Sequence, residues 1–292
     1  MNKINQSIEL LQPEDRAFES LQPVVKWVGG KRQLLPDIRE RLPKEYTTYY
    51  EPFIGGAAVL LDIMPQKAVI NDFNDELINM YKVIRDDVEY LLELLEEHQE
   101  KNTSEYFYDV RAWDREPKYA EAHPTVKAAR LLFLNKTCFN GLYRVNQSGY
   151  FNSPYGRYKN PNIKNEDKIM ALHHYFNNAD ITFRTGDFED AVKYIRKGAF
   201  VYFDPPYAPL SPTSNYTGYT AGGFGEKDQI RLRKLCDKLD AQGVKFLLSN
   251  SNVPFIQEQY KEYQIDIVGA KRAINSKGNK RGEVEEVLIR NY

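Results

Sequence analysis

The stretch Ala199-Phe200-Val201-Tyr202-Phe203-Asp204-Pro205-Pro206-Tyr207 decides how this chain is read. Its first five residues are apolar or aromatic, a run of the kind buried on both faces of a parallel sheet. An acid, two prolines and a tyrosine follow where that strand must end. Proline fixes φ and has no N–H, so the pair makes a stiff segment that offers carbonyl acceptors. The residue before a proline is biased toward extended geometry, which projects Asp204 from the strand end. Such a set suits the holding of a flat, amino-bearing ring: Asp204 accepts one hydrogen of the amine, and Tyr207 offers a face for stacking. A plain turn after a strand uses the same residue types, so the surroundings carry the decision.

Upstream, Tyr49-Tyr50-Glu51-Pro52-Phe53-Ile54-Gly55-Gly56-Ala57-Ala58-Val59-Leu60 reads as an aromatic strand, a glycine turn and a helix start, half of a nucleotide-binding fold. Ala68-Val69-Ile70-Asn71-Asp72 reads as a second strand, and Asp72 lies 17 residues beyond Gly55, near the offset at which an acid meets ribose hydroxyls. A helix is expected over 75–84. Residues 85–135 read as helices, including an acidic amphipathic one over 86–100 whose charges are a solvated face over a leucine stripe. From 179 onward strands and helices alternate again: strands over 179–183, 199–203, 244–249, 263–268 and 286–290, helices over 227–239 and 253–260. This order predicts a doubly wound α/β sheet with a mainly helical insertion. In the common strand order the first and fourth parallel strands are neighbours at the switch point, which would bring the Gly55-Gly56 turn and Asp204 into one crevice.

Between Pro124 and Asn165 there are seven Lys or Arg (Lys127, Arg130, Lys136, Arg144, Arg157, Lys159, Lys164) and no Asp or Glu. This window reads as a basic surface, although the whole chain has a formal net charge of −1. Its 292 residues suffice for one large domain or two small ones, and 42% hydrophobic content indicates a folded core. Cys138 and Cys236 stand far apart, and with four His they form no metal-ligand or disulfide pattern. No metal is expected, nor a membrane partner, and a reduced, cytoplasmic setting follows. Residues 1–22 read as a flexible extension.

Gly55-Gly56 lacks the full GxGxxG, which disfavours a pyrophosphate-bearing dinucleotide and favours an adenosine ligand without phosphate. Trp27 and Lys31, set around two glycines, could embrace such a ligand; a buried Trp27 with a surface Lys31 is the plainer reading.

Five segments, Lys26-Trp27-Val28-Gly29-Gly30-Lys31, Glu51-Pro52-Phe53-Ile54-Gly55-Gly56, Asn71-Asp72-Phe73-Asn74, Phe139-Asn140-Gly141-Leu142-Tyr143-Arg144-Val145-Asn146 and Asp204-Pro205-Pro206-Tyr207, closely resemble the Dam family of α-class adenine-N6 DNA methyltransferases, and within it the modification methylases of DpnII-type restriction systems. The resemblance covers roughly 24–292 in order and spacing. It implies a Rossmann-like sheet, S-adenosylmethionine as cofactor, and adenine in double-stranded GATC as target. It implies a catalytic domain at 23–84 and 166–292, with a target-recognition domain at 85–165. Carried over by position, Trp27, Lys31, Gly55, Asp72, Asp187 and Asp204 serve the cofactor; Asp204, Pro205, Pro206 and Tyr207 form the catalytic motif. Lys26, Asn140, Leu142, Arg144, Pro154 and Arg157 fall to the DNA, with Lys26 and Arg144 reading bases. The turn Gly55-Gly56-Ala57 departs from a more glycine-rich pattern.

Alternatives remain open on the residues alone. They are methylation of cytosine N4, RNA adenine or a glutamine amide, a catalytically silent DNA-binding module, and a nicotinamide dehydrogenase. Cytosine-C5 chemistry needs a thiolate nucleophile, and no cysteine accompanies the motif. A restriction endonuclease is the expected functional partner.

Overall fold

The computed structural model describes residues 21–209, 223–271 and 283–292. Within them a seven-stranded sheet runs in the order β3-β2-β1-β4-β5-β7-β6, where β1 is Tyr49–Glu51, β2 Lys67–Asp72, β3 Asp180–Thr185, β4 Phe200–Phe203, β5 Lys245–Ser251, β6 Gln264–Lys271 and β7 Glu283–Arg290. The first five in chain order run parallel to one another, and β7 is antiparallel between β5 and β6. The chain winds outward from β1 through β2 to β3, then returns to place β4 on the other side of β1. That reversal is the switch point, and the sequence reading of β1 beside β4 holds. Every residue of β1 and β4 is buried, as expected of central strands covered on both faces.

The helices are α1 (Leu35–Glu40), α2 (Ala58–Ile63), α3 (Asp75–Asp86), α4 (Val88–Glu100), α5 (Ser104–Ala112), α6 (Pro124–Thr137), α7 (Glu166–Asn178), α8 (Phe188–Ala191), α9 (Glu226–Ala241) and α10 (Pro254–Gln259). The α3 helix starts where Asn74 accepts from the Leu77 N–H at 3.0 Å, and it buries Leu77, Ile78, Met80, Tyr81, Val83 and Ile84. Such a cap contributes about 1 kcal/mol. The acidic helix α4 buries Val88, Leu91 and Leu95 and turns Glu89, Glu93, Glu97 and Glu100 to solvent.

Helix α6 is buried nearly all round, with Ala128, Ala129, Leu131, Leu132, Phe133 and Leu134 in the core. These residues belong to the same hydrophobic cluster as Ile70, Phe200 and Tyr202 of the sheet. Leu21 is already part of that cluster, while residues 1–20 of the expected extension lie outside the described residues.

After α6 the chain forms a hairpin. Val145 pairs with Phe151 and Cys138 with Tyr155, both antiparallel, and the turn closes through Asn146 N to the Tyr150 carbonyl at 2.9 Å. The insertion is therefore helical with a β-hairpin between α6 and α7, a feature that its Asn- and Gly-rich sequence did not disclose.

Candidate active site

Four acids stand at or just past the carboxyl ends of adjacent parallel strands: Glu51 ends β1, Asp72 ends β2, Asp187 follows β3 and Asp204 follows β4. Beside the last of them lies the ammonium of Lys31. Lys31 Nζ lies 2.8 Å from Asp204 Oδ1, donates to the Gly29 carbonyl at 2.6 Å, and sits 4.7 Å above the Tyr207 ring. Lys31 is only 6% exposed, so the plainer reading of a surface lysine is corrected. Burial pushes the Asp204 carboxyl above the usual carboxylate range, and Lys31 is the main opposing influence.

The segment after β4 is tied down almost residue by residue. Ser249 donates to Asp204 Oδ1 at 3.3 Å, and Gln229 Nε2 donates to the Pro206 carbonyl at 2.8 Å. Asn250 accepts from the Ala208 N–H at 3.0 Å, and Ser251 donates to the Ala208 carbonyl at 2.6 Å. Tyr207 donates its hydroxyl hydrogen to Glu286 Oε2 at 2.6 Å. Among the described residues, this leaves Asp204 Oδ2 and the Pro205 carbonyl without a protein donor. Those two acceptors belong to neighbouring residues on a stiffened segment.

Asp72 holds the glycine turn. Its carboxylate accepts from Gly55 N and from Asn74 N, each at 3.0 Å. The Gly55 N–H is thus already committed, and a carboxylate occupies the position where a pyrophosphate would need donors. That argues against the dinucleotide alternative. Gly55 has φ +46°, and a Cβ there would stand 3.0 Å from Trp27 Cδ1, so the turn and the indole are fitted to each other. Ala57 takes φ +61°, a left-handed conformation that costs a non-glycine residue about 1 kcal/mol. This is the price of the departure noted at Gly55-Gly56-Ala57.

Trp27 is half-buried and stacks on Tyr143 with centroids 5.0 Å apart. It therefore joins the glycine turn to the base of the hairpin. Asp187 caps α8 by accepting from Glu189 N at 2.9 Å and pairs with Arg231 at 2.9 Å.

The sequence reading gave Glu51 and Phe73 no role. Glu51 is 2% exposed, accepts from the Tyr49 hydroxyl at 2.7 Å, and burial pushes its carboxyl well up. Phe73 stands 60% exposed beside Asp72. An acid at each of several strand ends was the available signal for Glu51.

The residues expected at the DNA gather around the hairpin. Lys26 is exposed; its backbone N–H donates to Asn135 Oδ1 at 2.8 Å, and its ammonium lies 5.7 Å from the Tyr158 ring centroid. The Tyr158 hydroxyl accepts from Asn140 N at 2.9 Å, and Asn140 takes φ +59°. A Cβ on Gly141 would come within 2.5 Å of Lys26 Cδ, so glycine lets this lysine cross the turn. Leu142 is half-buried, and Pro154, Arg157 and the neighbouring Phe139 are exposed. Arg144 is exposed, with Nε donating to Asn152 Oδ1 at 2.7 Å across the hairpin.

The basic window does not form one surface. Arg130 is 1% exposed: it donates to the Val110 and Arg111 carbonyls at 3.0 Å and pairs with Asp114 at 2.8 Å. Lys164 is neutralised by Glu96 at 2.8 Å and Glu166 at 3.0 Å. The acids come from outside the window, which is why composition within it misled.

No helix among the described residues is long and apolar enough to cross a membrane. Burial pushes both thiols, Cys138 and Cys236, up to about 12, so neither supplies a thiolate.

Comparison with known proteins matches residues 27–274 to the model of the D12 class N6 adenine-specific DNA methyltransferases. The chain is 48% identical over 273 residues to the Type II methyltransferase M1.LlaDCHI of Lactococcus lactis subsp. cremoris, covering 94% of this chain and 96% of that one. It is 44% identical to the Type II methyltransferase M.MjaIII of Methanocaldococcus jannaschii over 93% of this chain and 99% of that one. It is 32% identical to the DNA adenine methylase of Escherichia coli K12 over 94% of this chain and 95% of that one. With its doubly wound sheet and a strand-end Asp-Pro-Pro-Tyr at the switch point, the chain belongs to the D12 class of N6 adenine-specific DNA methyltransferases.

Proposed function

We propose that this methyltransferase takes its methyl group from S-adenosylmethionine and delivers it to N6 of the adenine in double-stranded GATC. The observation that carries the site assignment is the Lys31–Asp204 pair beside the β1/β4 crevice, with Asp204 Oδ2 and the Pro205 carbonyl left without a donor among the described residues. The crevice fits the cofactor chemically. Asp72 and Asp187 suit hydroxyl and amine donors, Lys31 suits a carboxylate, Trp27 and Phe73 offer apolar rings, and the glycine turn leaves no phosphate cradle. When bound, S-adenosylmethionine supplies an electrophilic methyl on a positively charged sulfur.

The protein's own contribution is positioning and electrostatics. Adenine N6 is a poor nucleophile because its lone pair is shared with the ring. Asp204 Oδ2 and the Pro205 carbonyl accept its two hydrogens and draw the nitrogen toward tetrahedral geometry. Lys31 opposes the burial that pushes the Asp204 carboxyl above the usual carboxylate range. The base must leave the duplex to reach these acceptors, and Tyr207 provides the stacking face.

In this reading residues 85–165 recognise the target and 23–84 with 166–292 form the catalytic domain. Lys26 and Arg144 read bases; Asn140, Leu142, Pro154 and Arg157 support the contact. The Type II names of the relatives favour a restriction endonuclease as functional partner, in the cytoplasm. The test is incubation with methyl-labelled S-adenosylmethionine and plasmid DNA, followed by mapping of the label. Methyl on GATC adenines is expected; label on cytosine or on unrelated sequences would refute the target.

A further inference from the structure

We infer that Glu286, on β7, is a positioning residue for methyl transfer: it fixes the Tyr207 ring by its hydroxyl and, through that ring, seats Lys31 against Asp204. The inference rests on the proposed catalytic role of Asp204 and concerns a residue far from the motif in sequence.

The topology explains how Glu286 reaches the site. A parallel strand brings its last residues to the carboxyl rim, but β7 is antiparallel and brings its first ones there. Glu286 lies in register with Ser251 of β5 and Val268 of β6. The next three residues, Val287, Leu288 and Ile289, are fully buried apolar side chains. A half-buried carboxylate beside that apolar run is costly unless partnered, and its partner is Tyr207 at 2.6 Å. A hydroxyl donating to a carboxylate at that distance is a charge-assisted bond of the stronger kind.

The consequence passes along a short chain of contacts. The ring pinned by Glu286 presents its face to the Lys31 ammonium at 4.7 Å, and that ammonium pairs with Asp204 at 2.8 Å. A lysine has four rotatable side-chain bonds, and here the Gly29 carbonyl, the Asp204 carboxylate and the Tyr207 ring together define its place. If the hydroxyl tether is cut, the ring is free to swing and both the stacking face and the Lys31 seat lose definition. Misplacement of this kind lowers the rate of the chemical step more than the affinity for either substrate.

A purely structural role for Glu286 would lower thermal stability and every activity together, so the test uses a double-mutant cycle. Single-turnover methylation is measured for Glu286→Ala, Glu286→Gln, Tyr207→Phe and the Glu286→Ala/Tyr207→Phe double variant, at whichever site the wild type methylates. Rates are expressed relative to wild type, so an error in the proposed target sequence does not affect the outcome. Glu286→Ala and Tyr207→Phe should each slow the step about tenfold, and the double variant should be no slower than the worse single. Glu286→Gln, which still accepts a hydrogen bond, should recover most of the loss. DNA affinity should stay within about twofold. Multiplicative losses in the double variant, a wild-type rate in Glu286→Ala, or no recovery with Gln would each overturn the inference.

Discussion

The rim of the sheet and the hairpin of the insertion treat charge in opposite ways. At the rim Lys31 is buried and held by a carbonyl, a carboxylate and a ring. At the hairpin Arg144 is exposed and rests on Asn152, which a base or phosphate could readily replace. On the function proposed above, the difference follows from what each would do. Transition-state chemistry gains from groups already in place before the substrate arrives. Recognition of a groove needs side chains that reach out and exchange partners on contact. Arg130 adds a third case: an arginine from the same basic window that is an internal prop, tied to Asp114, whose carboxylate also accepts from Phe151 N of the hairpin at 2.8 Å.

The largest effect that would break this contrast lies at Arg130. Removing one partner of a buried ion pair leaves the other unpaired and costs about 3–5 kcal/mol. Arg130→Ala should therefore lower the thermal midpoint by many degrees. An unchanged midpoint would return Arg130 to the DNA-binding surface.

Asp204→Ala comes next. Loss of a positioned acceptor should reduce single-turnover methylation by about a hundredfold to a thousandfold, while gel-shift affinity for GATC duplex persists. Retention of more than about a tenth of the rate would remove Asp204 from its role.

Arg144→Ala should leave the thermal midpoint alone and relax sequence preference, since a guanidinium on guanine discriminates by about 1–3 kcal/mol. Methylation of GATC is compared with sites carrying one substituted outer base. A uniform drop at all sites would place Arg144 on a phosphate.

The smallest effect concerns Lys136, which burial together with Lys168, Lys26 and Arg32 holds down to about 8. Its charged form prevails below that pH and is lost above it. A phosphate nearby would favour the charged form, so DNA binding takes up a proton and weakens as pH rises through 8. One proton limits the slope to about tenfold per pH unit. Affinity titrations from pH 7 to 9 on wild type and Lys136→Met check it; identical profiles would exclude Lys136 from the interface.

Much of the architecture was legible in the chain itself. Apolar runs bounded by turns disclosed all seven strands, and the acids at the ends of β2 and β4 announced the crevice, because burial and strand ends are local properties that periodicity records. The hairpin after α6 was less legible, since its 142–155 segment lacks a clean two-residue alternation.

What only the tertiary structure decided was partnership. Nothing in the basic window says that Arg130 will meet Asp114, or that Lys164 will be claimed by Glu96 from α4. Nothing near Tyr207 says that its hydroxyl will find Glu286 on the last strand. Solvation and pairing of charges depend on residues that are distant in sequence, and strand direction settles which of them arrive at the rim. The sequence by itself determined the succession of elements and the reactive motif at the end of β4. The fold alone determined which charges are held for chemistry, which are exposed at the hairpin, and which are spent inside the core.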